Sequence, residues 1–247
     1  MLGHRGARHA APENTFAAFE LALAEGAEGV ELDVRLNADG DVVVCHDVTL
    51  TRVTEGSDRR AVHRMSTAEC RAVRLPKGER LPFLADVLDW AEERKACVNV
   101  ELKDGGRRPG LVAAVARLMQ PRAAAGNLLM SSFNPLVVLA HAAFAPAIPT
   151  AWLVDSPRLA AQRSLTCTGN AALHPRHLLI TADSMAAWKE RGQRVNTWTV
   201  NEPERAVELA RLGVDCLISD NPGLLLNALG SAARAPERDP RGRDLAE

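Results

Sequence analysis

Tyrosine is absent from this 247-residue chain, aromatic residues make up only 4% of it, and lysine is rare beside arginine. Those scarcities exclude nothing by themselves; others do. No excess charge of one sign is present, because 30 basic and 31 acidic residues leave a net charge of −1. The chain therefore lacks the electrostatic footprint of a binder of nucleic acid or anionic membrane. No apolar run approaches the ~20 residues needed to cross a bilayer. Met1-Leu2-Gly3-His4 opens the sequence without the basic, apolar leader of a secretory signal. The five cysteines are odd in number and scattered. Cys45, Cys97 and Cys216 lie beside or within apolar runs, where they read as small buried side chains and not as a disulfide framework. Cys-x-x-Cys and His-x-x-x-His ligand sets are missing too, which argues against zinc. The expectation is a soluble cytoplasmic protein without a stable membrane anchor.

What is present is enough apolar material for one large core, 47% of the residues. Apolar, β-branched runs alternate with helical patterns along the chain. Strands are expected at 29–36, 42–45, 96–102, 128–131, 150–154, 171–173, 195–200 and 216–219. Helices are expected from Asn14, as N-cap, to about Glu25, and at 84–94, 111–119, 184–191 and 203–212. Such alternation predicts an α/β fold with a parallel sheet closed on itself, a (β/α)8 TIM-type barrel. Roughly 250 residues is the ordinary size of one such barrel, so residues 1–230 read as a single domain. No internal repeat of solenoid period is found. From Ser231 the chain is rich in Arg, Pro, Asp and Ala, and 231–247 reads as a disordered tail.

One segment departs from barrel regularity. Asn37-Ala38-Asp39-Gly40 is a strong turn signal, and the link between the second and third strands is too short for a parallel crossover. A hairpin is expected, with opposed residue numbers summing to about 77–79. That register sets His46 across from Glu31 and Asp33. After it, residues 47–80 form a polar, turn-rich insertion near the barrel mouth, with a short helix capped by Ser66 and Glu69.

The informative charges sit inside the apolar runs. Glu31 and Asp33 stand two apart in Val30-Glu31-Leu32-Asp33-Val34, as do Glu101 and Lys103 in Val98-Asn99-Val100-Glu101-Leu102-Lys103. Each pair presents both members to one face of its strand. Charges in such runs are costly unless paired or bound to a metal, and three converging carboxylates repel without a cation. They are hard oxygen donors, suited to Mg2+ or Ca2+. His4 and His46 reach the same region and are suited to proton transfer near neutral pH. Arg5 and Lys103 are candidates for phosphate, the first as a planar fork and the second as a point charge. Of the other histidines, His174 is the one expected to border the pocket.

In order and spacing, from residue 3 to about 228, these residues carry a resemblance. His4-Arg5-Gly6, Pro12-Glu13-Asn14-Thr15, Glu31-x-Asp33, Asp39-Gly40, His46-Asp47, Glu101-Leu102-Lys103 and Trp198-Thr199-Val200-Asn201 resemble the signature of glycerophosphodiester phosphodiesterases. The resemblance implies hydrolysis of glycerophosphodiesters to glycerol 3-phosphate and an alcohol. It also implies His4 and His46 as the acid–base pair and Glu31, Asp33 and Glu101 as ligands of a divalent cation. Trp198 becomes a wall for the glycerol moiety, Glu13 and Asn14 braces of the first loop, and Asp220 a residue that orients a neighbour. A cyclic phosphate intermediate resembles the route of the family. Arg52-Val53-Thr54 stands where Arg-Thr-Thr is common, and the first strand is shorter than usual, but no principal residue is missing. The same set would also serve a lysophospholipase D-type enzyme, given an apolar groove, or a non-catalytic phosphate-binding relative. The expected partner is a small-molecule diester, with no nucleic acid.

Overall fold

A computed structural model describes residues 1–103, 109–160 and 171–234. Its strands are β1 (Leu2–His4), β2 (Gly29–Leu36), β3 (Val42–Val44), β4 (Cys97–Leu102), β5 (Leu128–Ser132), β6 (Thr150–Val154), β7 (Ala171–Pro175), β8 (Asn196–Thr197) and β9 (Cys216–Ser219). Apart from β3 they are parallel, in the order β7-β6-β5-β4-β2-β1-β9-β8. Two isolated parallel bridges, Leu173 to Val195 and Arg176 to Trp198, link β7 to the β8 segment and complete the ring. The last strand region is therefore shorter than the apolar run 195–200 suggests, with Val195 and Trp198 held by single bridges.

The helices α1 (Phe16–Ala24), α3 (Leu84–Arg94), α4 (Pro109–Met119), α5 (Pro135–Phe144), α7 (Ala182–Lys189), α8 (Pro203–Arg211) and α9 (Pro222–Arg234) lie between or after the strands, with the short α2 (Thr67–Ala72) and α6 (Pro157–Ala160). The eight parallel strands with intervening helices are the barrel that the alternation predicts. A continuous core that includes Val30, Leu32, Val98, Val100, Leu84 and Val115 joins the strands to the helices. Burying each such side chain is worth about 1.5–3 kcal/mol. Gly29 lets β2 and β4 approach: a Cβ there would lie 1.9 Å from the Cys97 carbonyl oxygen.

The hairpin forms in the expected register, Val34 opposite Val44, Arg35 opposite Val43 and Leu36 opposite Val42. The polar-looking insertion owes its order to a second, smaller core in which Leu50, Val62, Met65, Cys70, Leu75 and Phe83 pack with Val43 and Cys45. Its helix α2 is capped by the reciprocal Ser66–Glu69 pair.

Three expectations are corrected. Thr15, not Asn14, is the N-cap of α1 and accepts from the Ala18 N–H. Asn14 instead adopts the left-handed region at φ 56°, which the short polar side chain of asparagine tolerates, and this turns its amide toward β2. The helix expected at 184–191 starts two residues earlier because Thr181 and Ser184 cap one another. Residues 231–234 are the final turn of α9; the rest of the expected tail, 235–247, lies outside the described residues. No helix among the described residues is long and apolar enough to cross a membrane.

Candidate active site

The carboxyl ends of the barrel strands bring together the charges that the sequence scatters, at the end of the barrel where loops and strand ends build sites. Glu31 and Asp33 of β2 and Glu101 of β4 are buried, and one oxygen from each lies within 4.8 Å of the other two. The parallel register sets Asp33 directly beside Glu101. Two cations enter this cluster. Lys103 Nζ lies 2.6 Å from Glu101 Oε1 and 3.2 Å from Asp33 Oδ1, and Arg5 Nε lies 3.0 Å from Asp33 Oδ2. Asn14 Nδ2 also donates to Asp33 Oδ2 at 3.0 Å.

The compensation is unequal. Lys103, Arg5 and Asn14 hold Asp33 below the ordinary carboxylate range even though burial opposes it. Glu31 receives little beyond the Arg5 backbone N–H at 3.2 Å, and burial with the charges of Asp33 and Glu101 drives it well above that range. Glu101 is pushed up to about 7 by burial and by Asp33, against the pull of Lys103. A cluster of hard oxygen donors in which two carboxyls resist ionisation fits a divalent cation, and Glu31, Asp33 and Glu101 can hold one.

Both histidines border the same cavity of about 220 Å3, with Arg5, Glu31, Glu101, Lys103 and Trp198 among its walls. His4 Nδ1 is 2.6 Å from Asp220 Oδ1, and His46 Nδ1 is 2.6 Å from Asp47 Oδ1. Burial lowers the pKa of each imidazole despite its aspartate, while Asp47 and Asp220 are held down at about 2. Neutral imidazole beside an ionised carboxylate assigns the proton to Nδ1, since a carboxylate only accepts. Each Nε2 then carries a lone pair; that of His4 lies 3.9 Å from Glu31. Arg35 fixes the other side of His46, donating twice to its carbonyl oxygen at 2.9 and 2.6 Å.

A chain of ion pairs joins the two aspartates around the outside. Asp220 meets Arg8 Nε at 2.6 Å, Arg8 meets Glu13 at 3.3 Å, Glu13 takes both terminal nitrogens of Arg52 at 2.7 and 2.8 Å, and Arg52 Nε reaches Asp47 at 2.7 Å. Glu13 also binds Arg5 Nη1 at 3.0 Å. Arg52 belongs to the insertion and Glu13 to the loop after β1, so this chain ties the insertion to the site. The same loops line an open groove of about 810 Å3 that includes Arg8, Glu13, Arg52, Lys77 and Asp220.

Trp198 stands in the cavity wall, its indole N–H donating to the His174 carbonyl at 2.8 Å and its ring edge-on to Phe133 at 5.3 Å. The His174 side chain is not among the residues lining the cavity; it is fully buried and 2.8 Å from Asn196 Nδ2, because β7 places it within the barrel wall. Asp47, Arg52, Arg35 and Phe133 are neighbours that sequence reasoning did not assign. Asp47 carried a signal in its adjacency to His46; Phe133 carried only its place after β5.

The model of the glycerophosphoryl diester phosphodiesterase family matches residues 4–224. A glycerophosphodiester phosphodiesterase of Caldanaerobacter subterraneus subsp. tengcongensis is 29% identical over 235 residues, covering 92% of this chain and 96% of its own. Among solved structures, the chain is similar to an Oleispira antarctica phosphodiesterase in complex with the product sn-glycerol-3-phosphate, at 28% identity and TM-score 0.83, over 93% of this chain and 96% of that one. It is also similar to a glycerophosphodiester phosphodiesterase from Thermotoga maritima, at 27% identity and TM-score 0.76, over 92% and 96%. With a match that runs through the whole barrel from His4 to Leu224, the chain belongs to the glycerophosphoryl diester phosphodiesterase family.

Proposed function

We propose that this chain hydrolyses glycerophosphodiesters to glycerol 3-phosphate and an alcohol, with Glu31, Asp33 and Glu101 holding Mg2+ or Ca2+ and with His4 and His46 moving the protons. One observation carries the reading: two histidines, each backed by an aspartate on Nδ1, border one cavity with an under-compensated carboxylate cluster. When bound, the cation supplies charge neutralisation at phosphate oxygens and acidity to the attacking hydroxyl. Arg5 and Lys103, already at the cluster, orient and neutralise the phosphate.

Of the two imidazoles, one takes the proton of the attacking hydroxyl through Nε2 and the other, protonated, gives its proton to the departing headgroup oxygen. The substrate carries a hydroxyl beside its phosphorylated carbon, and such intramolecular attack can reach effective molarities of ~10⁵–10⁸ M. That oxygen bonds to phosphorus as the headgroup oxygen leaves, giving a cyclic glycerol phosphate and the alcohol. With the roles of the pair reversed, water bonds to phosphorus, the ring P–O bond breaks and its oxygen is protonated. Asp47 and Asp220 hold the Nδ1 protons in both steps. Trp198 and Phe133 form an aromatic side to the cavity, and the charged side chains of the outer groove, Arg8, Glu13, Arg52, Lys77 and Asp220, favour a polar headgroup over an acyl chain.

The test is turnover of glycerophosphocholine and of an analogue lacking the hydroxyl beside the phosphorylated carbon, with Mg2+ or Ca2+ and after chelation. Cleavage of the natural diester that stops on chelation supports the reading. Full activity in protein verified free of metal overturns the cation, and equal cleavage of the deoxy analogue overturns the cyclic route.

A further inference from the structure

The inner end of the cavity carries polar groups that the chemistry above leaves unused. Asn99 lies two residues before Glu101 on the same face of β4, about 7 Å deeper along the strand at ~3.3 Å per residue. It is in register with Glu31, and Ser131 of β5 is in register with Glu101. Both side chains line the cavity, and both are enclosed, Asn99 at 1% and Ser131 at 0% exposure. Among the described residues, no hydrogen-bond partner meets Asn99 Nδ2, Asn99 Oδ1 or Ser131 Oγ. Two hydroxyls elsewhere in the barrel wall are matched: Ser132 Oγ donates to the Leu102 carbonyl at 3.1 Å and Thr197 Oγ1 to that of Pro175 at 2.7 Å. A buried polar group without a partner is costly, so two side chains left this way, diagonal neighbours on adjacent strands that face one cavity, point to a ligand.

We propose that Asn99 and Ser131 form a subsite for the terminal hydroxyl of the substrate's glycerol. The inference rests on the functional reading above and adds what selects the substrate. An amide offers donors and an acceptor, and a serine hydroxyl offers both, which matches an alcohol that also donates and accepts. Leu153 and Ile218, in the same walls, give the carbon chain apolar contact. With the phosphate at Arg5 and Lys103, the depth of Asn99 is comparable to the reach of a three-carbon chain. An acyl group on that oxygen would remove its proton and set hydrocarbon against the amide. The subsite therefore selects deacylated diesters over lysophospholipids.

The experiment compares kcat/KM for glycerophosphocholine, for its analogue with methyl in place of the terminal hydroxymethyl but the adjacent hydroxyl kept, and for 1-acyl lysophosphatidylcholine, all with Mg2+ or Ca2+. Wild type should prefer glycerophosphocholine over the methyl analogue by ~10²-fold, the order expected when an analogue leaves a buried polar group unpaired. Asn99→Ala and Ser131→Ala should each shrink that ratio, and the double variant should bring it within about threefold. Ser131→Ala should melt no lower than wild type, because it removes a hydroxyl without a partner in the protein; this keeps the test sound if Asn99→Ala folds poorly. A wild type that cleaves both diesters equally overturns the subsite while leaving the functional reading intact. Variants that lose both substrates in the same proportion also overturn it. A wild type that cleaves neither diester overturns the functional reading and the subsite with it.

Discussion

Two sets of carboxylates stand near His4 and His46 and differ in how their charge is met. Glu13, Asp47 and Asp220, on the outer side, are all held below the ordinary carboxylate range. On the inner side Glu31 and Glu101 are both pushed above it, while Asp33 between them, met by Lys103, Arg5 and Asn14, is held below. Burial acts against ionisation in every one of them, so the difference comes from partners. The outer acids each receive two or more charged or polar donors: Arg5, Arg8 and Arg52 at Glu13, His4, Arg8 and Asn201 at Asp220, His46 and Arg52 at Asp47. The inner three share Lys103 and Arg5. Saturated pairing makes a brace, whereas unsaturated like charge makes a receptor for a cation. Under the proposed function, the contrast separates groups that hold the histidines from groups that would hold a cation.

The largest way to break the contrast is to alter the inner set. Chelation should abolish turnover, and Glu101→Gln should weaken metal binding at least about tenfold, read by titration calorimetry. The sign with pH follows from the raised carboxyls. In cation-free protein the stability tied to Glu101 is complete below its unfolded value of 4.5 and is lost as pH rises through about 7. The rise in melting temperature on adding Mg2+ or Ca2+ should therefore be greater at pH 8 than at pH 6. An equal rise at both would remove the inner acids from cation binding.

Next in size are the histidines between the two sets. His4→Ala and His46→Ala should each lose ~10²–10⁴-fold in kcat/KM while remaining folded, and the double variant should lose less than the product. Because burial holds both imidazoles below 6.5, the acid limb of the rate profile should fall below that pH. Near-native kcat/KM for His46→Ala would take it out of the mechanism.

Replacing an outer acid should have a smaller effect of a different kind. Asp47→Asn removes the carboxylate that raises His46, so kcat/KM should drop by roughly 10–100-fold and the acid limb should move to still lower pH. A limb that moves upward would show that Asp47 does not act on His46.

The smallest effect is expected at Arg52, whose side chain is 47% exposed. Exposed ion pairs are worth ~0.2–1 kcal/mol each, so Arg52→Ala should lower thermal stability modestly and cost activity several-fold through Asp47. Lysine at 52 should restore less than arginine does, because it cannot grip both Glu13 oxygens. Rescue by lysine to full activity would reduce the outer chain to simple charge.

Much of this arrangement was legible in the residues themselves. Hydrophobic period marked the strands, the Asp39-Gly40 turn fixed the hairpin register to its observed sum, and carboxylates two apart on β-branched runs identified one wall of the site. Short-range rules failed where a long-range bond competed with them. Asn14 reads as a helix cap, yet its amide is drawn across to Asp33. The insertion reads as polar and turn-rich, yet apolar residues spaced irregularly along it find Val43 and Cys45 of the hairpin. His174 reads as a pocket residue and is enclosed in the wall, because strand registry and not sequence neighbourhood sets its direction.

By itself, the sequence determined which side chains exist to do chemistry and which strands carry them, because alternation along an extended chain is a local property. Only the tertiary structure decided which charges share partners. Asp33 stands beside Glu101 through parallel pairing of β2 with β4, His4 meets Asp220 across 216 residues, and Arg52 closes the chain from Glu13 to Asp47. Whether a carboxylate braces or binds depends on how many cations reach it in a buried site, and that number is set by barrel closure and loop packing, which no local pattern encodes.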